Sequence, residues 1–160
     1  MPPKMQIWRH RMPRQPDDEV EILLVEDNPG DIILAQEGFK MSKIVNRLHV
    51  CENGESALAF LRREGEYADV PRPHLVLLDL NLPKMSGHDV LQAIKEDEAL
   101  CEIPVIILTS SSAERDVRMS FRQHANSYIV KPDDIARLTE IVEATEAFWF
   151  GVAKSPRRIT

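Results

Sequence analysis

Five residues of this 160-residue chain stand where chemistry is possible, because each closes or follows an apolar run: Glu26 and Asp27 after ILLV, Asp79 after LVLL, Thr109 after VIIL and Lys131 after YIV. Three carboxylates gathered in one crevice repel one another and are costly to ionise without a counter-charge. Mg²⁺ answers that cost, since it takes oxygen ligands in near-octahedral geometry and keeps several waters. Asp27 and Asp79 are the candidate direct ligands, Glu26 acts through a water, and the backbone carbonyl of Asn81 completes the protein share. Asp79 is also a candidate nucleophile toward a phosphoryl group, giving an aspartyl phosphate. Such a transfer needs the metal and a cation to offset charge on the equatorial oxygens. Lys131 supplies the cation, the Thr109 hydroxyl can donate to a third oxygen, and backbone N–H groups around Asn81 and Ser110 can add phosphoryl contacts. Lys131-Pro132 is a candidate cis peptide that aims the lysine inward. Singly these residues mean little, since an acid at a strand end is often only a helix cap. The weight lies in the right chemical type recurring at four strand ends.

Those ends must be brought together by the elements that carry them. Glu21–Glu26, Arg47–Cys51, His74–Asp79, Pro104–Thr109 and Ser127–Val130 read as strands, and the first, third and fourth are nearly continuous Val, Ile and Leu. Asp31–Lys40, a segment opened by Asn53-Gly54, Asp89–Asp97, residues 113–123 and a segment capped by Asp133 read as helices, with Pro29 suited to a first helical position. The last carries Ile135, Leu138, Ile141, Val142 and Thr145 on one stripe. Five strands, the central ones apolar throughout, alternating with five helical segments predict an α/β fold, a doubly wound parallel sheet covered on both faces. Such a sheet places its ligand site outside the C-terminal strand ends.

Composition narrows the function classes. An apolar fraction of 43% supports a core, and 29% charged residues of mixed sign argue against wholesale disorder. Residues 20–150 hold 13 Lys and Arg against 23 Asp and Glu, a net charge of −10 that repels phosphates and makes that region a poor nucleic-acid binder. Residues 1–16 are basic, with Lys4, Arg9, Arg11 and Arg14, and read as a solvated arm. The division expected is an arm over 1–19, a domain over 20–150 and a tail over 151–160. Neither a signal peptide nor a run of about 20 apolar residues is present, so membrane insertion and secretion are not expected and a cytoplasmic location is. Cys51 and Cys101 read as reduced packing residues, and the five scattered histidines form no zinc cluster.

The segments LLVEDN (Leu23–Asn28), LVLLDLNLPKMSG (Leu75–Gly87), VIILTSS (Val105–Ser111) and YIVKP (Tyr128–Pro132) resemble the receiver domain of two-component response regulators, over roughly residues 20–150. The resemblance implies a flavodoxin-like five-stranded parallel sheet in the order 2-1-3-4-5. It also implies Asp79 as phosphoacceptor, Glu26 and Asp27 as the acidic pair, Thr109 as the switch hydroxyl, Tyr128 as the switch aromatic and Lys131 as the family's lysine. The extended loop at 65–73 and the ending Ala147-Phe148-Trp149-Phe150 are similar to single-domain regulators paired with bacterial phytochrome histidine kinases. The chain departs from common receiver patterns in having Glu26 where Asp is frequent, Ser110 where Ala or Gly is common, and His124-Ala125 where Gly-Ala is usual.

The function expected is that of a phosphoacceptor signalling through protein contacts, not an enzyme in the ordinary sense. On transfer, Thr109 is drawn inward and Tyr128 rotates from solvent toward the vacated space; a half-buried strand aromatic is the plainer reading of Tyr128. Phe148, Trp149 and Phe150 are adjacent, and positions about 100° apart cannot share one helix face. A homodimer through the last helix and tail is therefore expected, against a tail folded back on its own domain. A haloacid-dehalogenase-like phosphatase fits less well, because Asn81 offers an amide where that chemistry wants a general acid. A phosphorylation-independent interaction module, a phosphate shuttle to a histidine phosphotransfer protein, and a DNA-binding regulator were the other readings, the last lacking a helix-turn-helix segment after residue 150.

Overall fold

The computed structural model describes residues 19–42 and 45–131 together with Glu140, Glu143 and Ala144. Its strands are β1 (Val20–Val25), β2 (Asn46–Cys51), β3 (Leu75–Leu78), β4 (Val105–Thr109) and β5 (Ser127–Val130). They form one sheet in the order β2-β1-β3-β4-β5, parallel at every pairing. The helices are α1 (Pro29–Lys40), α2 (Gly54–Arg62), α3 (Gly87–Glu96) and α4 (Glu114–Arg122). Glu140, Glu143 and Ala144 are helical, whereas the rest of the expected last helix, the aromatic triplet and the Lys131–Pro132 bond lie outside the described residues.

Period-two alternation splits the strands between two cores. Leu23, Val25, Val76, Leu78, Val105 and Ile107 face α2 and α3, where Leu61, Leu91 and Ile94 are fully buried. Ile22, Leu24, Leu75, Leu77, Ile106 and Leu108 face the opposite side, with Ala35 and Phe39 of α1. Burial on both faces is the reason β1, β3 and β4 carry no polar alternation. No helix among the described residues is long and apolar enough to cross a membrane.

Caps place the helix starts. Asn28 Oδ1 accepts from Asp31 N–H at 3.1 Å and Pro29 takes the first helical position. Ser86 Oγ accepts from Asp89 N–H at 3.2 Å. α1 therefore starts at Pro29, the residue suited to a first helical position, whereas α3 begins two residues earlier than expected, at Gly87. The extended 65–73 loop is pinned by a short 3₁₀ turn over Gly65–Tyr67, with the Tyr67 ring packed at a tilt against Phe60, centroids 5.4 Å apart. His124 has φ of 68°, so it holds the left-handed conformation that glycine adopts freely, and the turn into β5 tolerates the departure at a conformational cost.

Candidate functional site

The C-terminal strand ends converge as the doubly wound topology requires. Asp79 follows β3, its N–H held by Val25 O at 3.0 Å, and Glu26 follows β1, its N–H held by Cys51 O at 3.0 Å. Lys131 follows β5, its N–H held by Thr109 O at 2.8 Å. The main chain thus fixes all three roots before any side chain is considered.

Asp79 is buried and its carboxylate is fully engaged. Oδ1 accepts from the Thr109 hydroxyl at 2.7 Å and from Asn81 N–H at 3.1 Å, while Oδ2 accepts from Lys131 Nζ at 2.8 Å. Lys131 Nζ also reaches Glu26 Oε2 at 2.6 Å and Asp31 Oδ2 at 2.9 Å. Glu26 Oε1 accepts from Asn28 N–H at 3.0 Å. Burial raises Glu26 to about 7, more than the Lys131 bond lowers it. Burial would raise Asp79 as well, but Lys131, Glu26, Thr109 and Asn81 N–H outweigh it and hold the carboxyl below its ordinary value. Lys131 is raised, because its three carboxylate partners outweigh its desolvation.

Asp27 is exposed beside this cluster, and carboxylate oxygens of Glu26, Asp27 and Asp79 lie within 4.8 Å of one another. An all-oxygen anionic donor set of this size suits a hard divalent cation. Buried charges rarely return their desolvation cost in stability, so the arrangement is better explained by ligand chemistry than by folding.

The sequence-predicted residues divide as follows. Glu26, Asp27, Asp79, Thr109 and Lys131 come together, and Asn81 contributes its N–H to the carboxylate itself. Ser110 is exposed at the mouth of the site. Thr109 is fully buried and its hydroxyl already donates to Asp79. Tyr128 is half-buried rather than solvent-facing, its hydroxyl donating to Ser111 O at 2.8 Å, where burial raises its pKa. Among what sequence reasoning missed, Asp31 is the closest; as an acid in the first turn of α1 it carried no signal beyond helix-dipole compensation. A second group is the tie between α3 and α4: His88 to Gln123 at 3.0 Å and to Asp116 at 3.2 Å, with Ser111 Oγ donating to Asp116 at 2.6 Å. The Ser111 and His88 bonds hold Asp116 below its ordinary pKa.

Across known proteins, the family model of the response regulator receiver domain matches residues 22–143. The chain belongs to this family. The receiver is 44% identical over 135 residues to the response regulator Rcp1 of Synechocystis sp., covering 84% of this chain and 92% of that protein. It is 40% identical over 141 residues to a probable methanogenesis regulatory protein, FilR2, of Methanothrix harundinacea, covering 88% and 90%. Among solved structures it is similar to the phosphorylated cyanobacterial phytochrome response regulator RcpA, with a TM-score of 0.81 at 44% identity over 86% of this chain and 99% of that one. It is also similar to the Mn²⁺-bound form of Rcp1, with a TM-score of 0.78 at 44% identity over the same shares, 86% and 99%. Receiver membership makes this a signalling chain of two-component type and accounts for an acidic pocket that suits a divalent cation.

Proposed function

We propose that the receiver takes a phosphoryl group from the phosphohistidine of a histidine kinase onto Asp79, in a Mg²⁺-dependent reaction, and signals through protein contacts. The observation that carries this reading is the Asp79 carboxylate, ionised and clamped by Thr109, Asn81 N–H and Lys131 at 2.7, 3.1 and 2.8 Å. An ionised carboxylate attacks without first losing a proton. One Asp79 oxygen bonds to phosphorus as the P–N bond breaks, and its electron pair leaves on the imidazole nitrogen. Glu26, Asp27 and Asp79, with the Asn81 carbonyl, would hold Mg²⁺, which would supply charge neutralisation for the phosphoryl oxygens.

The donors on Asp79 are the same groups that the product needs. As the carboxylate becomes an acyl phosphate its negative charge moves outward, and the Thr109 hydroxyl and Lys131 ammonium follow it to phosphoryl oxygens; N–H groups at Asn81 and Ser110 are the further candidate donors. That transfer of hydrogen bonds draws on the β4–α4 loop, where Tyr128 is bonded to Ser111 O, and shifts the population of the α4–β5 face between two states. Hydrolysis by water then returns the carboxylate, so the chain is a phosphoacceptor with self-catalysed chemistry. The similarity to RcpA and Rcp1 favours a phytochrome kinase as the donor. The reading carries with it a cytoplasmic domain over 20–150 flanked by an arm and a tail, and a homodimer through Phe148, Trp149 and Phe150, for which sedimentation at high concentration is the check.

Phosphate-affinity gel mobility tests the reaction, with a small phosphodonor, wild type and Asp79→Asn, each with Mg²⁺ and with EDTA. A retarded band that needs both Asp79 and Mg²⁺ is expected. No retarded band, with a positive control working, favours a phosphorylation-independent interaction module instead.

A further inference from the structure

Asp31 has no part in the metal set, yet it holds the lysine. It is the third residue of α1, and a carboxylate there ordinarily reaches back to the N–H of the capping residue. Here that N–H, on Asn28, is taken by Glu26 Oε1 at 3.0 Å. The Asp31 carboxylate instead turns to Lys131 Nζ at 2.9 Å. An ammonium has three donors, and these match Glu26 Oε2 at 2.6 Å, Asp79 Oδ2 at 2.8 Å and Asp31.

The three partners are not equivalent. The Glu26 and Asp79 side chains are 2% and 5% exposed and belong to the carboxylate cluster that suits a divalent cation. Asp31 is 39% exposed and lies outside that cluster, so its hold on Lys131 competes with neither metal nor phosphoryl chemistry. When Glu26 and Asp79 turn to other partners, Asp31 is the acid left to keep the ammonium in place. We propose that Asp31 is a positioning residue for phosphoryl transfer, tethering Lys131 at the outer side of the site while its other two partners are engaged elsewhere. This rests on Asp79 being the phosphoacceptor.

The tether acts through Lys131 alone, and that makes it separable from a helix-start role. The experiment measures phosphorylation by acetyl phosphate at saturating Mg²⁺ for wild type, Asp31→Ala, Asp31→Asn and Asp31→Glu, and for Asp31→Ala in a Lys131→Gln background. Losing a partner that orients a site group costs on the order of tenfold. The expected result is a maximal rate about tenfold lower in Asp31→Ala and Asp31→Asn, with the half-saturating donor concentration little changed. Asp31→Glu recovers part of the rate, and Asp31→Ala adds nothing once Lys131 is gone. The loss persists at high salt, where long-range repulsion of an anionic donor is screened. Thermal unfolding of each variant reports folding separately. A wild-type rate in Asp31→Ala, or an equal loss in both backgrounds, overturns the proposal while leaving Asp79 untouched. Phosphoryl uptake that survives Asp79→Asn removes the reading beneath it as well.

Discussion

Replacing Gly87 by alanine tests how tightly α3 is seated against the phosphoacceptor segment. A Cβ at this position would lie 2.2 Å from Asp79 O, 2.5 Å from Leu80 Cα and 2.9 Å from the Asp79 carbonyl carbon. All three are main-chain atoms, so none can swing aside, and Gly87 N–H is itself tied to Leu80 O at 3.0 Å. Reaching ordinary contact requires about 1 Å of movement in the backbone that carries Asp79, an overpacking that costs about 1–3 kcal/mol. Alanine returns up to about 1 kcal/mol through helix propensity, which leaves about 1 kcal/mol net from the middle of that range. For a chain of this size that is a fall in Tm of about 2–4 °C. Gly65→Ala is the control: nothing lies within 4 Å of its Cβ, its φ is +59°, and the strain of about 1–2 kcal/mol stays far from Asp79. Urea and thermal unfolding followed by far-UV circular dichroism give the stabilities, and the phosphate-affinity gel gives the uptake. If Gly87→Ala unfolds at the wild-type temperature and takes up phosphoryl at the wild-type rate, the close approach is not what seats the site.

Thr109→Val removes a fully buried hydroxyl that donates to a charged group at 2.7 Å, and urea unfolding should show a loss of about 1.5–3 kcal/mol, most of it restored in Thr109→Ser. His124→Gly relieves a left-handed φ of 68° and should be neutral to stabilising by about 0.5–1 kcal/mol in the same assay, whereas a clear destabilisation would mean the imidazole packs in a way that outweighs the strain. Glu26, raised by burial from 4.5 to about 7, binds its proton more tightly folded than unfolded. Without metal it contributes stability that is full below about 4.5 and lost as pH rises through about 7. Metal binding needs the opposite form, so Mg²⁺ affinity measured by titration should weaken as pH falls through about 7, by up to about tenfold per pH unit, and Glu26→Gln should flatten both dependences.

Most of the sheet was legible because each central strand is buried on both faces and so reads as an unbroken apolar run. For that reason β1 and β3 end just before Glu26 and Asp79, and β4 ends on Thr109. Pro29 marks the start of α1 by its fixed φ, but the start of α3 at Gly87 lies two residues before the expected one, since apolar spacing marks a helix body and the cap Ser86 marks its end. The five chemical residues were visible as strand-end residues, a position that topology converts into proximity. Asp31 was not, because on a helix an acid in the first turn looks like dipole compensation, and only the side-chain geometry shows Glu26 taking over the capping bond. The His88–Asp116–Ser111 tie was also invisible: it joins three segments whose approach depends on how α3 and α4 pack. The inward setting of Thr109 follows from burial, since a hydroxyl with no exposure takes the nearest acceptor, and here that is Asp79.

Locating the phosphoryl group by chemistry tests the central claim most directly. The receiver would be phosphorylated with acetyl phosphate and Mg²⁺, reduced with borohydride, which converts an aspartyl phosphate to homoserine, and digested for peptide mass analysis. The account predicts conversion at Asp79 alone, abolished by EDTA and by Asp79→Asn. Conversion at Asp27 or another acid, or at Asp79 to the same extent without Mg²⁺, would contradict it.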